Sequence, residues 1–288
     1  MAVYKRSYKS YTGPITAEWT RFWIIPRFAW ASLFKQRLLT MLYVVCFFYP
    51  LGAALVIYFN SNMSFLQQYL PNVPNKLINI GNTFFFTFIS VQSALGFILT
   101  ALIGPGLISP DLANNALPLY FCRPLSRTGY ITGKMMVIAA LLSMITWIPG
   151  LMLFGLQASL ADDVWWNENA YLAGSIFFSS VLWILVISVL ALALSAWVRW
   201  KVIAGGLMLV VLFIGSALGE MVRQIARSDL GRYLDLAYNM SRIWGSLFRI
   251  TEDTGSITLE ESIAVVLAFS AFCIYLLMRK VKAFEVVR

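Results

Sequence analysis

Little in this sequence can do covalent chemistry. The chain has 288 residues and no histidine, which removes the commonest general base and metal ligand. Its cysteines, Cys46, Cys122 and Cys273, show neither a pairing pattern nor metal-ligand spacing and read as packing residues. The 11 methionines are dispersed, so copper handling is not indicated and no metal site is expected. No nucleophile stands beside a base, which ranks an integral-membrane enzyme last among the readings. The phosphate-binding pattern G-x-x-x-x-G-K-[ST] is missing too. Gly133-Lys134 has no glycine at the required spacing before it, and Met135 follows. The chain is not expected to hydrolyse ATP or to carry a cofactor of its own.

The residues arranged for work fall in 105–134, which reads PGLISPDLANNALPLYFCRPLSRTGYITGK. Gly104-Pro105-Gly106 is expected to end a preceding helix. Ser109-Pro110-Asp111 predicts a new one: Ser as N-cap, Pro in the first turn, an acid at the positive helix end. Asp111, Leu112, Asn115 and Leu117 lie within about two turns before Pro118 stops them. Leu119, Tyr120 and Phe121 follow as an exposed apolar knob, and Arg123 to Arg127 turn the chain back. A short capped helix with aromatic residues suits a groove on a partner. A loop folded back on its own spans is the other reading.

The elements that must position this segment are membrane helices. Sixty per cent of the residues are hydrophobic and the mean hydropathy is +0.75, above the range of soluble domains. Six runs are long enough to cross a hydrocarbon core: Leu38–Phe59, Thr83–Gly104, Met135–Leu156, Leu172–Val198, Val202–Gly219 and Ser262–Met278. Of the 22 Lys and Arg, sixteen fall on the side shared by both termini, including Arg123, Arg127 and Lys134. By the positive-inside rule that side is cytoplasmic. This places the chain in the inner membrane of a prokaryote, with 105–134 inside and 220–261 outside. The net charge of +9 is a topology signal. The basic residues flank spans and form no single groove, so nucleic-acid binding explains them poorly.

Residues 1–37 hold basic residues and no apolar signal-peptide core. Within them Trp19, Phe22, Trp23 and Trp30 recur at helical steps among basic residues, the pattern of an interfacial amphipathic helix that Pro26 kinks or restarts. Residues 38–288 form the six-span domain. Pro50 and Pro149-Gly150 are expected kinks. Thr87, Ser90 and Ser93 share helical spacing in the second span; they line a translocation pathway or serve helix packing. Gln92 is the most polar mid-span side chain and a candidate for substrate contact. No ionisable residue sits mid-span, which weakens a proton-coupled transporter. In 220–261 the periodicity predicts one or two short amphipathic helices on or in the outer leaflet. Thr258 and Glu261 fit a capping box for the last helix.

The loop resembles the signature region of the type-two family of ABC exporter permeases. That pattern runs acid, three residues, Gly-Thr-Leu, then Pro-x-Ser-Arg, then Gly-Lys. Asp111 matches the acid, Leu117 the Leu, Pro124, Ser126 and Arg127 the second block, and Gly133-Lys134 the third. Asn115 and Ala116 stand where the pattern has Gly and Thr. The chain's outline is similar as well: interfacial helix, six spans, loop after the second and external helical segment before the sixth. The resemblance implies an all-α permease that pairs with a second copy or a homologue. It also implies two copies of a separate cytoplasmic ATPase, which carry the ATP and Mg. Asp111 to Phe121 would then be the coupling helix seated on the ATPase, with Arg123 and Arg127 framing it. A non-transporting subunit that transmits ATPase-driven force to an envelope process is the alternative. The apolar spans suit a lipid-like or amphipathic cargo, although packing accounts for them equally.

Overall fold

The computed structural model describes residues 23–62, 78–121, 126–198, 200–226, 229–250 and 257–281, the side chains of Leu119, Phe121 and Ala226 excepted. Trp19, Phe22, Cys122 and Arg123 lie outside the described residues. The described chain forms helices: α1 (Ile24–Leu33), α2 (Arg37–Ser61), α3 (Asn82–Ile103), α4 (Pro105–Ala113), α5 (Leu117–Phe121), α6 (Arg127–Ile145), α7 (Trp147–Leu160), α8 (Asp163–Asn169), α9 (Tyr171–Trp197), α10 (Lys201–Ala226), a 3-10 segment (Asp229–Leu234), α11 (Leu236–Leu247) and α12 (Leu259–Lys280). No strand occurs among the described residues.

Six of these lengths are long and apolar enough to cross a membrane: Arg37–Ser61, Asn82–Ala113, Arg127–Leu160, Tyr171–Trp197, Lys201–Ile225 and Leu259–Lys280. This is an all-α membrane protein with six spans. Helix α9 is its pillar. In its most apolar window 72% of residues are buried, against 17% for α2 and 22% for both α10 and α12. The sequence explains that position, because Ser175, Ser179, Ser180, Ser188, Ala191, Ala193 and Ser195 are small and all buried. Small residues let neighbouring backbones approach, which is the main source of packing where lipid removes the hydrophobic drive. The outer helices turn Phe48, Phe213 and Phe272 outward instead, toward what a bilayer fills with hydrocarbon.

Each break in the long spans traces to a proline. A proline at position i leaves the carbonyl of residue i−4 without its helical donor, and inside a membrane that carbonyl must find another. In the third span Pro149 frees the Ile145 carbonyl, and the helix breaks at Thr146 (φ −105°, ψ −92°), three residues before the proline itself. In the first span Pro50 frees the Cys46 carbonyl but α2 remains continuous. The Gln92 side-chain amide donates to both freed carbonyls, at 2.7 Å to Ile145 and 3.1 Å to Cys46.

The second span overturns a local expectation. Gly104-Pro105-Gly106 does not end it; Gly104 keeps right-handed helical dihedrals, and α4 continues directly from α3. Pro105 frees the carbonyl of Ala101. There Gly205 allows α10 to close in, since a Cβ on it would stand 2.5 Å from that oxygen. Gly104 itself packs on α9, where a Cβ would meet that of Ala191 at 2.6 Å.

Helix α1 packs along α6, and the Trp30 indole donates to the Val137 carbonyl at 3.2 Å. Pro26 occupies the first turn of α1, where an N–H needs no helical partner, so it starts the described helix and does not kink it. At the other end of the bundle the 3-10 segment packs on α10 at Gly219 and Gly231, which admit each other's backbones. Gly219 therefore serves a contact within the chain. Helix α11 is amphipathic and buries Leu236, Met240, Ile243 and Trp244 against α9 and α12. The Thr258–Glu261 capping box is present at the start of α12.

Candidate functional site

The loop between the second and third spans is anchored by one cluster of charge and aromatic rings. The Asp111 carboxylate accepts from the Tyr130 hydroxyl at 2.7 Å and lies 2.8 Å from the Lys134 ammonium. Lys134 also donates to the Leu107 carbonyl at 2.6 Å. The Asp111 and Lys134 side chains are 17% and 9% exposed, and Tyr130 is fully buried. The Tyr120 ring lies 5.3 Å from that of Tyr130, and Lys134 stands 5.4 Å from the Tyr130 ring and 6.0 Å from the Tyr120 ring. Burial, and then the neighbouring Asp111 charge, push the Tyr120 hydroxyl pKa up, so it stays neutral.

This arrangement corrects the expected start of a helix at Ser109. Asp111 sits in the last turn of α4, where the helix dipole disfavours an anion. Lys134 offsets that cost by pairing directly with the carboxylate. Ser109 is fully buried and caps nothing. Its hydroxyl donates to the carbonyls of Ser195 and Val198, while the Ser195 hydroxyl accepts from the Ile108 and Ser109 amides and donates to the Pro105 carbonyl at 2.9 Å. Ser195 thus stands between the Ser109 amide and the Pro105 carbonyl, groups that would bond each other in a regular helix. Helix α4 is pinned to the pillar on one side and to α6 on the other.

After Ala113 the chain reverses through a Schellman motif. The Ala116 amide donates to Asp111 O at 2.8 Å, the Asn115 amide donates to Leu112 O at 3.3 Å, and Asn115 takes φ 50°. Asparagine tolerates this left-handed region better than other residues bearing a Cβ. Pro118 lies inside α5 and does not terminate a helix. Leu117 is buried, and Leu112 and Tyr120 pack against the core. Tyr120 faces inward, so it is not part of an exposed knob; Leu119 and Phe121 side chains lie outside the description. Asn114, Asn115 and Pro118 are exposed and form the described tip. Ser126 caps α6 by accepting from the Gly129 amide, and Arg127 begins that helix, exposed.

The predicted pathway residues do not share one environment. Thr87 and Ser90 bond their own helix, to Thr83 O and Phe86 O. Thr87 borders a cleft between α2 and α3 with Phe48 and Gly52. Ser90 and Ser93 border a different cavity, toward α9, α10 and α11. Gln92 is buried in the bundle, its amide held by the two proline-freed carbonyls. Of the interfacial residues, Trp30 is fixed on α6 and Trp23 stacks edge-on against it, half exposed.

Sequence reading missed Tyr130. The signal available was its spacing of four from Lys134, which puts both on one helical face beside the loop. It also missed Ser195, whose partner lies 86 residues away and which nothing local marks. Among the described residues no group of three or more His, Cys, Asp or Glu side chains could hold a metal. No family model matches the sequence, and no curated protein matches it.

Proposed function

We propose that this chain is the membrane subunit of an ATP-driven exporter, moved by a separate cytoplasmic ATPase that grips the 105–134 loop. One observation carries the reading. The loop is built as a lever: its tip is exposed, while its root is fixed to three spans through Asp111–Lys134–Tyr130 and Ser109–Ser195. A force on the tip reaches α3, α6 and α9 together, because none of these joints is a free hinge. A passive connector needs neither a buried ion pair nor two serine clasps.

The left-handed Asn115 adds support. It stands where the type-two permease pattern has glycine, and it adopts the conformation that glycine supplies. The sequence departs from the pattern there while keeping its backbone requirement. ATP-driven closure of paired ATPases would tilt the spans and shift the bundle between accessible states. The force-transmission alternative calls for an outward part that reaches a distant partner. Asp229–Leu247 instead folds onto α9, α10 and α12, which favours transport.

The test is reconstitution in vesicles with the ATPase that co-purifies with this chain. Hydrolysis stimulated by an exported compound supports the exporter. Hydrolysis stimulated only by another envelope protein refutes it in favour of force transmission.

A further inference from the structure

At the end of the bundle that carries the loop, one corner holds positive charge unmatched among the described residues. Trp197 ends α9, Lys201 starts α10, and Arg279 and Lys280 close α12. The corner adjoins α4, since the Ser109 hydroxyl donates to the Val198 carbonyl. Lys201, Arg279 and Lys280 are exposed, and none has a hydrogen bond or ion pair among the described residues. Within 194–204 and 262–281 the sequence has no Asp or Glu. The one described acid at this end, Asp111, is held by Lys134 and Tyr130. The opposite end differs: there Arg223 pairs with Glu220 at 2.6 Å and Arg232 with Asp229 at 3.3 Å.

The charge is also held in place. The Lys280 ammonium stands 5.4 Å from the centre of the Trp197 ring. The Trp197 indole N–H donates at 3.2 Å to the Leu276 carbonyl, one turn before Lys280. A lysine at a membrane edge ordinarily swings on its flexible stem. Here α12 grips the indole by its edge, and the ammonium rests on the ring face. A ring engages one side of an ammonium and leaves N–H donors for an anion. Trp197 is 46% and Trp200 73% exposed, and exposed tryptophans at span ends sit at headgroup level. Lys201 follows Trp197 by four residues, at most about 14 Å of chain, so its charge acts on the same headgroup. In the most apolar windows of α10 and α12 only 22% of residues are buried, so lipid chains reach the corner along both helices.

We infer that this corner binds the phosphate of an anionic phospholipid in the leaflet on the loop side. Lys280 donates to the phosphate, Trp197 fixes the ammonium, and Lys201 and Arg279 add charge around it. The acyl chains run along α10 and α12. A zwitterionic lipid is disfavoured, because its own cation faces the same positive charges. The inference rests on the corner itself and holds whether or not an ATPase engages the loop.

The probe is phosphatidylglycerol bearing a diazirine in its acyl chain, photolysed with the full-length protein in a neutral detergent. Labelling within 197–203 and 274–280 should saturate. Unlabelled phosphatidylglycerol should compete more than about tenfold better than phosphatidylcholine, since each Lys or Arg near an anionic surface is worth roughly fivefold. Lys280→Gln should cut that preference about fivefold. Lys35→Gln, at an exposed lysine that follows α1, should leave it unchanged. Equal competition by the two lipids in the wild-type protein overturns the site, without depending on how a variant folds. An equal loss in Lys35→Gln also overturns it, because charge spread over the whole face then does the binding. Inorganic phosphate that displaces the probe as well as phosphatidylglycerol does overturns a lipid as the occupant.

Discussion

Replacing Lys134 by methionine should cost about 3–5 kcal/mol of stability. The substitution keeps most of the apolar stem and removes the ammonium that lies 2.8 Å from Asp111 and 2.6 Å from the Leu107 carbonyl. Both partners are well under a third exposed, so solvent screening does not cut the figure to that of a surface pair. What remains is an anion in the last turn of α4, where the helix dipole adds roughly 0.3–1 kcal/mol of repulsion. The Tyr130 hydroxyl still donates to it, which places the loss nearer 3 than 5 kcal/mol. Removing both charges, as in Asp111→Leu with Lys134→Met, leaves no unpaired ion and should recover to within about 2 kcal/mol of the parent, since buried pairs and apolar replacements are often close in stability. The assay is denaturant unfolding in mild detergent, followed by tryptophan fluorescence. A loss below about 1 kcal/mol for Lys134→Met, or strictly additive single and double variants, would refute a buried ion pair at the root of the loop.

Gln92→Leu strands the Cys46 and Ile145 carbonyls that Pro50 and Pro149 free. Thermal unfolding should show a loss of about 2–4 kcal/mol, and stability within about 0.5 kcal/mol of the parent would contradict the bridge. At Asn115, with φ 50°, glycine should be neutral or slightly stabilising. Valine should cost about 1–2 kcal/mol, and equal stability of the two variants in the same assay argues against the left-handed turn. Cysteine placed at exposed Asn114 or Ser159 reads the topology with a membrane-impermeant maleimide. Ser159→Cys should label on intact cells and Asn114→Cys only after lysis; the reverse pattern inverts the orientation.

The six spans were legible because composition alone decides them: a run of some twenty apolar residues has little other fate. The capping box at Thr258 was legible because it is local, all its partners lying within four residues. Local reading failed where tertiary partners replaced local ones. Gly104-Pro105-Gly106 read as a helix stop because Pro105 removes a helical hydrogen bond and no local residue replaces it. Here Gly205 closes on Ala101 O and Ala191 fills the space beside Gly104, so the helix runs on. Ser109 read as a cap because Ser before Pro and Asp is one in isolation; Ser195, remote in sequence, took that hydroxyl for packing. Asp111, Lys134 and Tyr120 were all visible as residues of interest. Their joining into one cluster was not, since it depends on α4 extending nearly two turns past the predicted stop.

The most direct measurement of the account is a site-specific cross-link. A photoreactive amino acid at Asn114, on the exposed tip of the loop, should cross-link to the proposed partner ATPase in intact membranes. The same residue at Ser159, at the opposite end of the bundle, should not. Cross-linking at Asn114 that changes between ATP-bound and nucleotide-free states is the predicted result. Absence of any cross-link from Asn114 to an ATPase that otherwise assembles with the chain would contradict the proposal that this loop is the lever.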